Sequence, residues 1–111
     1  MTLKECARRV TAEWIISGDD SVEFHDVVVS DLMSDVLVTE HEDFLLVTSL
    51  ASEQVVRTAD IVDARAVLLA NGKRPQPALK QLAESQGIPL LTSNLSTFDI
   101  CRALAGCKDE S

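Results

Sequence analysis

The sequence predicts an α/β domain, a three-layer α/β/α sandwich built on a mainly parallel sheet. Three observations carry that expectation. Short apolar runs, Phe44 to Val47, Ala66 to Leu69 and Pro89 to Leu91, alternate with longer segments whose apolar residues recur at helical spacing. The runs are apolar at nearly every position rather than at alternate ones, which is how strands covered on both faces by crossover helices are written. All 4 glycines and 3 prolines fall at the boundaries of these segments, so local backbone chemistry agrees with the pattern.

Thr2 to Glu5 has the spacing of a capping box, with the Thr2 hydroxyl accepting from the Glu5 amide and the Glu5 carboxylate returning to the Thr2 amide. Leu3, Cys6, Ala7 and Val10 then form the buried stripe of a first helix. Trp14 to Ile16, stopped by Gly18 and Asp19, is a strand with a turn behind it. Val27 to Val29 is a second strand, its β-branched side chains stiff and suited to a pleated surface. Ser30 or Asp31 caps a short helix through Leu37. The remainder is regular: strand Phe44 to Val47, helix Ser52 to about Val62, strand Ala66 to Leu69, helix Pro77 to about Gln86 closed by Gly87, and strand Pro89 to Leu91. Ser96, with Asp99 three residues on, opens a last helix that Gly106 stops. The whole chain, 1–111, reads as one domain with a core of about residues 2–106 and a polar tail at 107–111.

Composition narrows the function classes. A folded chain of 111 residues exposes about 6,000 Å² and encloses one core. No apolar run approaches the ~20 residues of a spanning helix, and the opening residues do not form a signal peptide, so the expected location is the cytoplasm. Cys6, Cys101 and Cys107 contain no CxxC pair, against both a disulfide scaffold and a structural zinc site. His25-Asp26 and His41-Glu42-Asp43 are the only histidine and carboxylate clusters; neighbours in sequence diverge, so they read as solvated side chains and no metal or cofactor is expected. The net charge of −8 argues against general nucleic-acid binding, which needs a basic face. Ten of the 18 acidic residues lie between Asp19 and Glu53, a stretch without Lys or Arg: a solvated surface, or a face for a basic partner.

In an open parallel sheet, ligands sit beyond the carboxyl ends of the strands. The loops there supply Thr48, Ser49 and Ser52, then Asn71, Gly72 and Lys73, then Thr92, Ser93 and Asn94, all candidate ligand-binding residues. Two of these loops run directly into helices whose unpaired amides favour an anion, and Lys73-Arg74 adds positive charge. The plainer reading makes Ser52 and Ser96 helix caps and Asn71-Gly72 a turn. Asn71-Gly72-Lys73 is not a phosphate-binding P-loop, because no glycine stands five residues before Gly72 and Arg74-Pro75 follows. No GxGxxG, GxSxG or HExxH is present, and no catalytic residue is assigned. A remote enzyme reading would use Ser49, Asn94 and the His25 or His41 region. Ser30-Asp31 and Ser34-Asp35 repeat at a spacing of four, which on a helix places the serines on one face and the aspartates on another.

The segment Val28-Val29-Ser30-Asp31-Leu32-Met33-Ser34-Asp35-Val36-Leu37 resembles the signature of DRTGG-domain proteins. The likeness continues through the strand at Phe44 to Thr48, the strand ending before Asn71-Gly72, and Ile88 to Thr92 ahead of Ser96-Thr97-Phe98-Asp99, over about residues 10–105. It implies an α/β/α fold similar to the N-terminal domain of HPr kinase/phosphorylase, a module that accompanies CBS-containing pyrophosphatases and phosphotransacetylases. The motif that names the family is degenerate: Ser21-Val22-Glu23-Phe24-His25-Asp26 has neither its arginine nor its paired glycines. The resemblance implies a non-catalytic regulatory or accessory domain that binds a small anionic ligand or a protein partner. Its implied setting is a bacterial signalling or redox system, those associated with iron-only hydrogenases among them. The alternative is a structural interaction module, a homodimer docking a basic partner through residues 19–53. Trp14, Ile15 and Ile16 are the apolar residues expected to be left over for pairing.

Overall fold

The structure is a computed structural model that describes residues 1–107. The expected polar tail lies outside the described residues from position 108 onward. Five strands, β1 (Glu13–Ile16), β2 (Asp26–Val29), β3 (Phe44–Thr48), β4 (Ala66–Leu69) and β5 (Leu90–Thr92), form one sheet in the order β1-β5-β4-β3-β2. β2 to β5 are mutually parallel, whereas β1 returns antiparallel along β5 with an irregularity between Trp14 and Ile16. The helices are α1 (Leu3–Arg9), α2 (Met33–Val36), α3 (Gln54–Val62), α4 (Pro77–Gln86) and α5 (Thr97–Leu104).

The strand order explains the layers. From β2 to β5 each crossover steps one place in the same direction, so right-handed connections lay α2, α3 and α4 on one face. α1 and α5 cover the other. Side chains alternate accordingly: Leu45, Val47, Ala66, Leu68 and Leu91 pack towards α1 and α5, while Phe44, Leu46, Val67, Leu69 and Leu90 pack towards α2, α3 and α4. Both sets are fully buried, which is why these strands read as continuous apolar runs. The accessible surface, 5892 Å², matches the value of about 6,000 Å² expected from the mass. Among the described residues no helix is long and apolar enough to cross a membrane.

Several local expectations need correcting. At α1 the Thr2 hydroxyl accepts from the Glu5 amide at 3.1 Å, but the Glu5 carboxylate turns to Arg8 and Arg9 instead of back to Thr2. Neither Ser30 nor Asp31 caps α2, which is shorter than expected and has Leu32 at its N-cap. Ser30 forms a tight turn with Leu32, accepting from its amide at 3.0 Å, and Asp31 reaches another loop altogether. Ser30 and Asp31 therefore precede the helix, and the two-faced spacing of the Ser-Asp pairs does not arise. Ser52 is not a side-chain cap either: α3 begins at Gln54 with Glu53 at its N-cap, and Ser52 contributes its carbonyl to the Val55 amide. Its far end closes on Asp63 in the left-handed region at φ 61°, without a glycine. The expected Ser96 cap is present, accepting from the Asp99 amide at 3.1 Å.

Candidate functional site

The carboxyl ends of β3, β4 and β5 bring together the three loops named from the sequence. The chain leaves β4 towards α4 on one face and β5 towards α5 on the other, the divergence that opens a crevice in sheets of this type. Here the fork is stitched shut. The amides of Asn71 and Gly72 donate to the carbonyls of Leu95 and Ser93, each at 2.8 Å, and the Thr92 hydroxyl donates to the Lys73 carbonyl at 2.7 Å. Gly72 sits at φ +67°, and a Cβ there would stand 3.0 Å from the Asn94 side-chain oxygen, so only glycine fits this approach without displacing Asn94. Ser93 is buried, its hydroxyl donating 2.7 Å to the Val10 carbonyl while accepting from the Leu95 amide.

The loop after β3 is organised by a side chain that arrives from outside it. Asp31 Oδ1 accepts from the Thr48 hydroxyl at 2.9 Å and from the Ser49 amide at 2.7 Å, and Oδ2 accepts from the Ser49 hydroxyl at 2.7 Å. The Thr48 oxygen in turn accepts from the Leu50 amide. The Ser49 hydroxyl and amide, then the Thr48 hydroxyl and the charge of Lys73, outweigh a small desolvation penalty and hold the Asp31 carboxyl below its ordinary pKa. Asp31 thus ties the start of the family-like segment to the tip of β3. Within the same segment Met33 and Val36 enter the core, and Ser34 and Asp35 face solvent.

The nine candidate residues consequently fall into two groups. Thr48, Thr92 and Ser93 are buried and commit their hydroxyls to the protein itself. Ser49, Ser52, Asn71, Gly72, Lys73 and Asn94 line the accessible rim, where the Ser49 hydroxyl is nonetheless given to Asp31 and the Asn71 side-chain nitrogen donates to the Thr97 hydroxyl at 3.3 Å. Lys73 forms no ion pair among the described residues, whereas Arg74 is drawn away to Glu13 of β1, so the two do not act as a basic pair. Four surface clefts of about 280 to 320 Å³ lie elsewhere, between α3 and α4, at the amino ends of β3 and β4, and beside β2.

The histidines are placed at the opposite end. His25 precedes β2 and His41 precedes β3, a strand's length of roughly 13 Å from Ser49 and Asn94. The constellation required by the remote enzyme reading is therefore not assembled. His41 Nδ1 contacts the Asp26 carboxylate, and His25 Nε2 lies 3.8 Å from Glu23. No group of three or more potential metal ligands occurs among the described residues. Residues 21–26, where the family's name motif would stand, also lie at this end, where Leu3 and Phe24 exchange backbone hydrogen bonds with Val22 and Met1.

The family model for the DRTGG domain matches residues 5–107. The chain belongs to the DRTGG domain family. Among solved structures, this DRTGG domain is similar to the CBS and DRTGG domains of the regulatory region of Clostridium perfringens pyrophosphatase, complexed with the activator diadenosine tetraphosphate. Identity is 13% and the TM-score 0.70, over 96% of this chain and 46% of that one. The DRTGG domain here thus spans less than half of the chain it resembles. No curated protein sequence matches it.

Proposed function

We propose that this DRTGG domain is a non-catalytic regulatory module of the cytoplasm that binds a small anionic metabolite, of the phosphate-bearing nucleotide class, at the carboxyl rim of β3 to β5. The observation that carries the reading is that Lys73, in no ion pair among the described residues, is exposed on the rim to which the loops of Ser49, Ser52, Asn71 and Asn94 also contribute, and its charge reaches Asp31 on the β3 loop that leads to the amino end of α3, which no side chain caps. That the related pyrophosphatase regulatory region is complexed with a dinucleotide activator supports the ligand class. A signalling or redox system, such as one serving a hydrogenase, is the setting that the family resemblance favours.

Titration calorimetry against ATP, AMP, diadenosine tetraphosphate, acetyl phosphate and a dicarboxylate tests it. Suitable variants are Lys73→Ala, Asn71→Gly, which keeps the left-handed backbone at φ 62°, and Asn94→Ala; Thr48→Ala and Ser93→Ala would perturb the fold instead. Loss of one charge-assisted contact should weaken binding roughly tenfold in Lys73→Ala. Absence of heat across the panel, or equal binding by all three variants, overturns the proposal.

A further inference from the structure

The apolar residues left uncovered are not those at β1. Trp14, Ile15 and Ile16 pack against the core, whereas Val29 of β2 and Leu32, Leu37 and Val38, which flank α2 in the segment after it, are 42%, 58%, 45% and 76% exposed; Ile61 of α3 and Phe98 of α5 are exposed singly elsewhere. Among the described residues β2 is hydrogen-bonded on one side only, to β3. Because the Ser30 amide donates to the Val47 carbonyl, the alternation of a parallel ladder turns Val28 and Asp26 towards β3 and the backbone of Val27 and Val29 outwards. The Val27 amide is occupied by the Asp26 carboxylate at 2.8 Å; among the described residues the Val29 amide and both valine carbonyls are left for another strand. A groove of about 320 Å³ runs along this edge, floored by Val27 through Ser30 and walled by Asp35 and Val36 of α2 with Thr39 and His41.

We propose that this edge and groove receive an extended segment of a partner protein, bearing lysine or arginine among apolar residues, as a sixth strand. Strand addition satisfies the outward backbone groups, and alternate side chains meet the valines or the groove wall. Charge selects the occupant. The groove belongs to the stretch of ten acidic residues without Lys or Arg: Asp35 lines it, Glu40 and Glu42 adjoin its Thr39 and His41 in sequence, and none of the three has a basic partner within 4 Å among the described residues. A cationic strand neutralises them, whereas a second copy, also at net charge −8, brings the same carboxylates to the same edge. The groove follows the β2 edge and meets the anion rim only at Ser30, next to Asp31, and the proposal stands without ligand binding at that rim.

The test uses a fluorescein-labelled hexapeptide of alternating Lys and Val, with the alternating Glu and Val peptide as control, followed by anisotropy and by amide NMR of the full chain. The Lys peptide should bind, more weakly at high salt, and shift and protect the Val29 amide. Val29→Pro, which deletes one outward donor at a position where an edge strand tolerates proline, should weaken binding about tenfold. Asp35→Lys, a surface change on α2 that leaves the strand intact, should weaken it about fivefold. Equal binding of the Glu peptide, equal binding by both variants, or shifts confined to residues 48–52 and 71–74 would overturn the proposal. So would a peptide-free dimer that Val29→Pro dissociates, which would assign the edge to a second copy.

Discussion

Replacing Asp31 separates what its shape does from what its charge does. The carboxylate accepts three hydrogen bonds at 2.7 to 2.9 Å, one from the buried Thr48 hydroxyl and two from Ser49. Asp31→Ala removes all three and leaves the Thr48 donor without its acceptor. Discounted for the exposure of Asp31, that should cost about 2 kcal/mol. Asp31→Asn keeps one oxygen for the Thr48 hydroxyl and the Ser49 amide and can donate to the Ser49 oxygen, so it loses only the charge, about 1 kcal/mol. At ~2.1 cal/mol/K of unfolding entropy per residue, each kcal/mol corresponds to about 4 °C in Tm, so the expected falls are about 8 and 4 °C by calorimetry near neutral pH. The pH dependence has a definite sign. The folded-state pKa is depressed, so the stabilisation is complete above the unfolded value of about 4 and is lost as pH falls through the lower, folded one. The gap between wild type and Asp31→Asn should therefore be constant at neutral pH and close in acid. A gap that is absent at neutral pH, or one that persists unchanged in acid, would refute the assignment of this carboxylate as a charged clamp.

Three other outcomes are expected. Leu68→Ala, in the centre of β4 with no exposed surface, should lower stability by about 2 to 5 kcal/mol in urea unfolding. Gly72→Ala must hold a left-handed conformation and push the Asn94 side chain aside, costing about 1 to 2 kcal/mol; an unchanged Tm would contradict the closed fork between β4 and β5. Burial pushes the Cys6 thiol up to about 12, while Cys101 is half-buried and its pKa is raised by burial alone. An aromatic disulfide reagent at mildly alkaline pH should accordingly label Cys101 first and Cys6 only as the protein unfolds.

The layers were legible in the sequence because burying a strand on both faces leaves no polar positions, as at Phe44 to Val47, and because Pro77, Gly87 and Ser96 mark helix ends by backbone chemistry alone. Asp31 was misjudged because a serine or aspartate ahead of a helix looks like a cap; nothing local reveals that its acceptors would be claimed by Thr48 and Ser49, 17 and 18 positions later. Thr92 and Ser93 looked available for the same reason: hydroxyls consumed by Lys73 and Val10 are long-range facts. The likeness of Val28 to Leu37 to DRTGG domains identified the family, but the role of each residue within it needed coordinates. The open edge was invisible because strand order, not strand content, decides which strand stands outermost.

The antiparallel placement of β1 has a consequence for how the chain is made. Trp14 pairs with Leu91, and the Val10 carbonyl waits for the Ser93 hydroxyl, 83 positions downstream. On a ribosome β1 emerges early, yet finds its pairing strand only after β5 has been synthesised, whereas α1 can dock on β2, β3 and β4 as these zip together in order. Maturation of this domain should therefore be a late, nearly all-or-none event, with nascent chains that stop before residue 90 presenting an unclosed, chaperone-dependent intermediate.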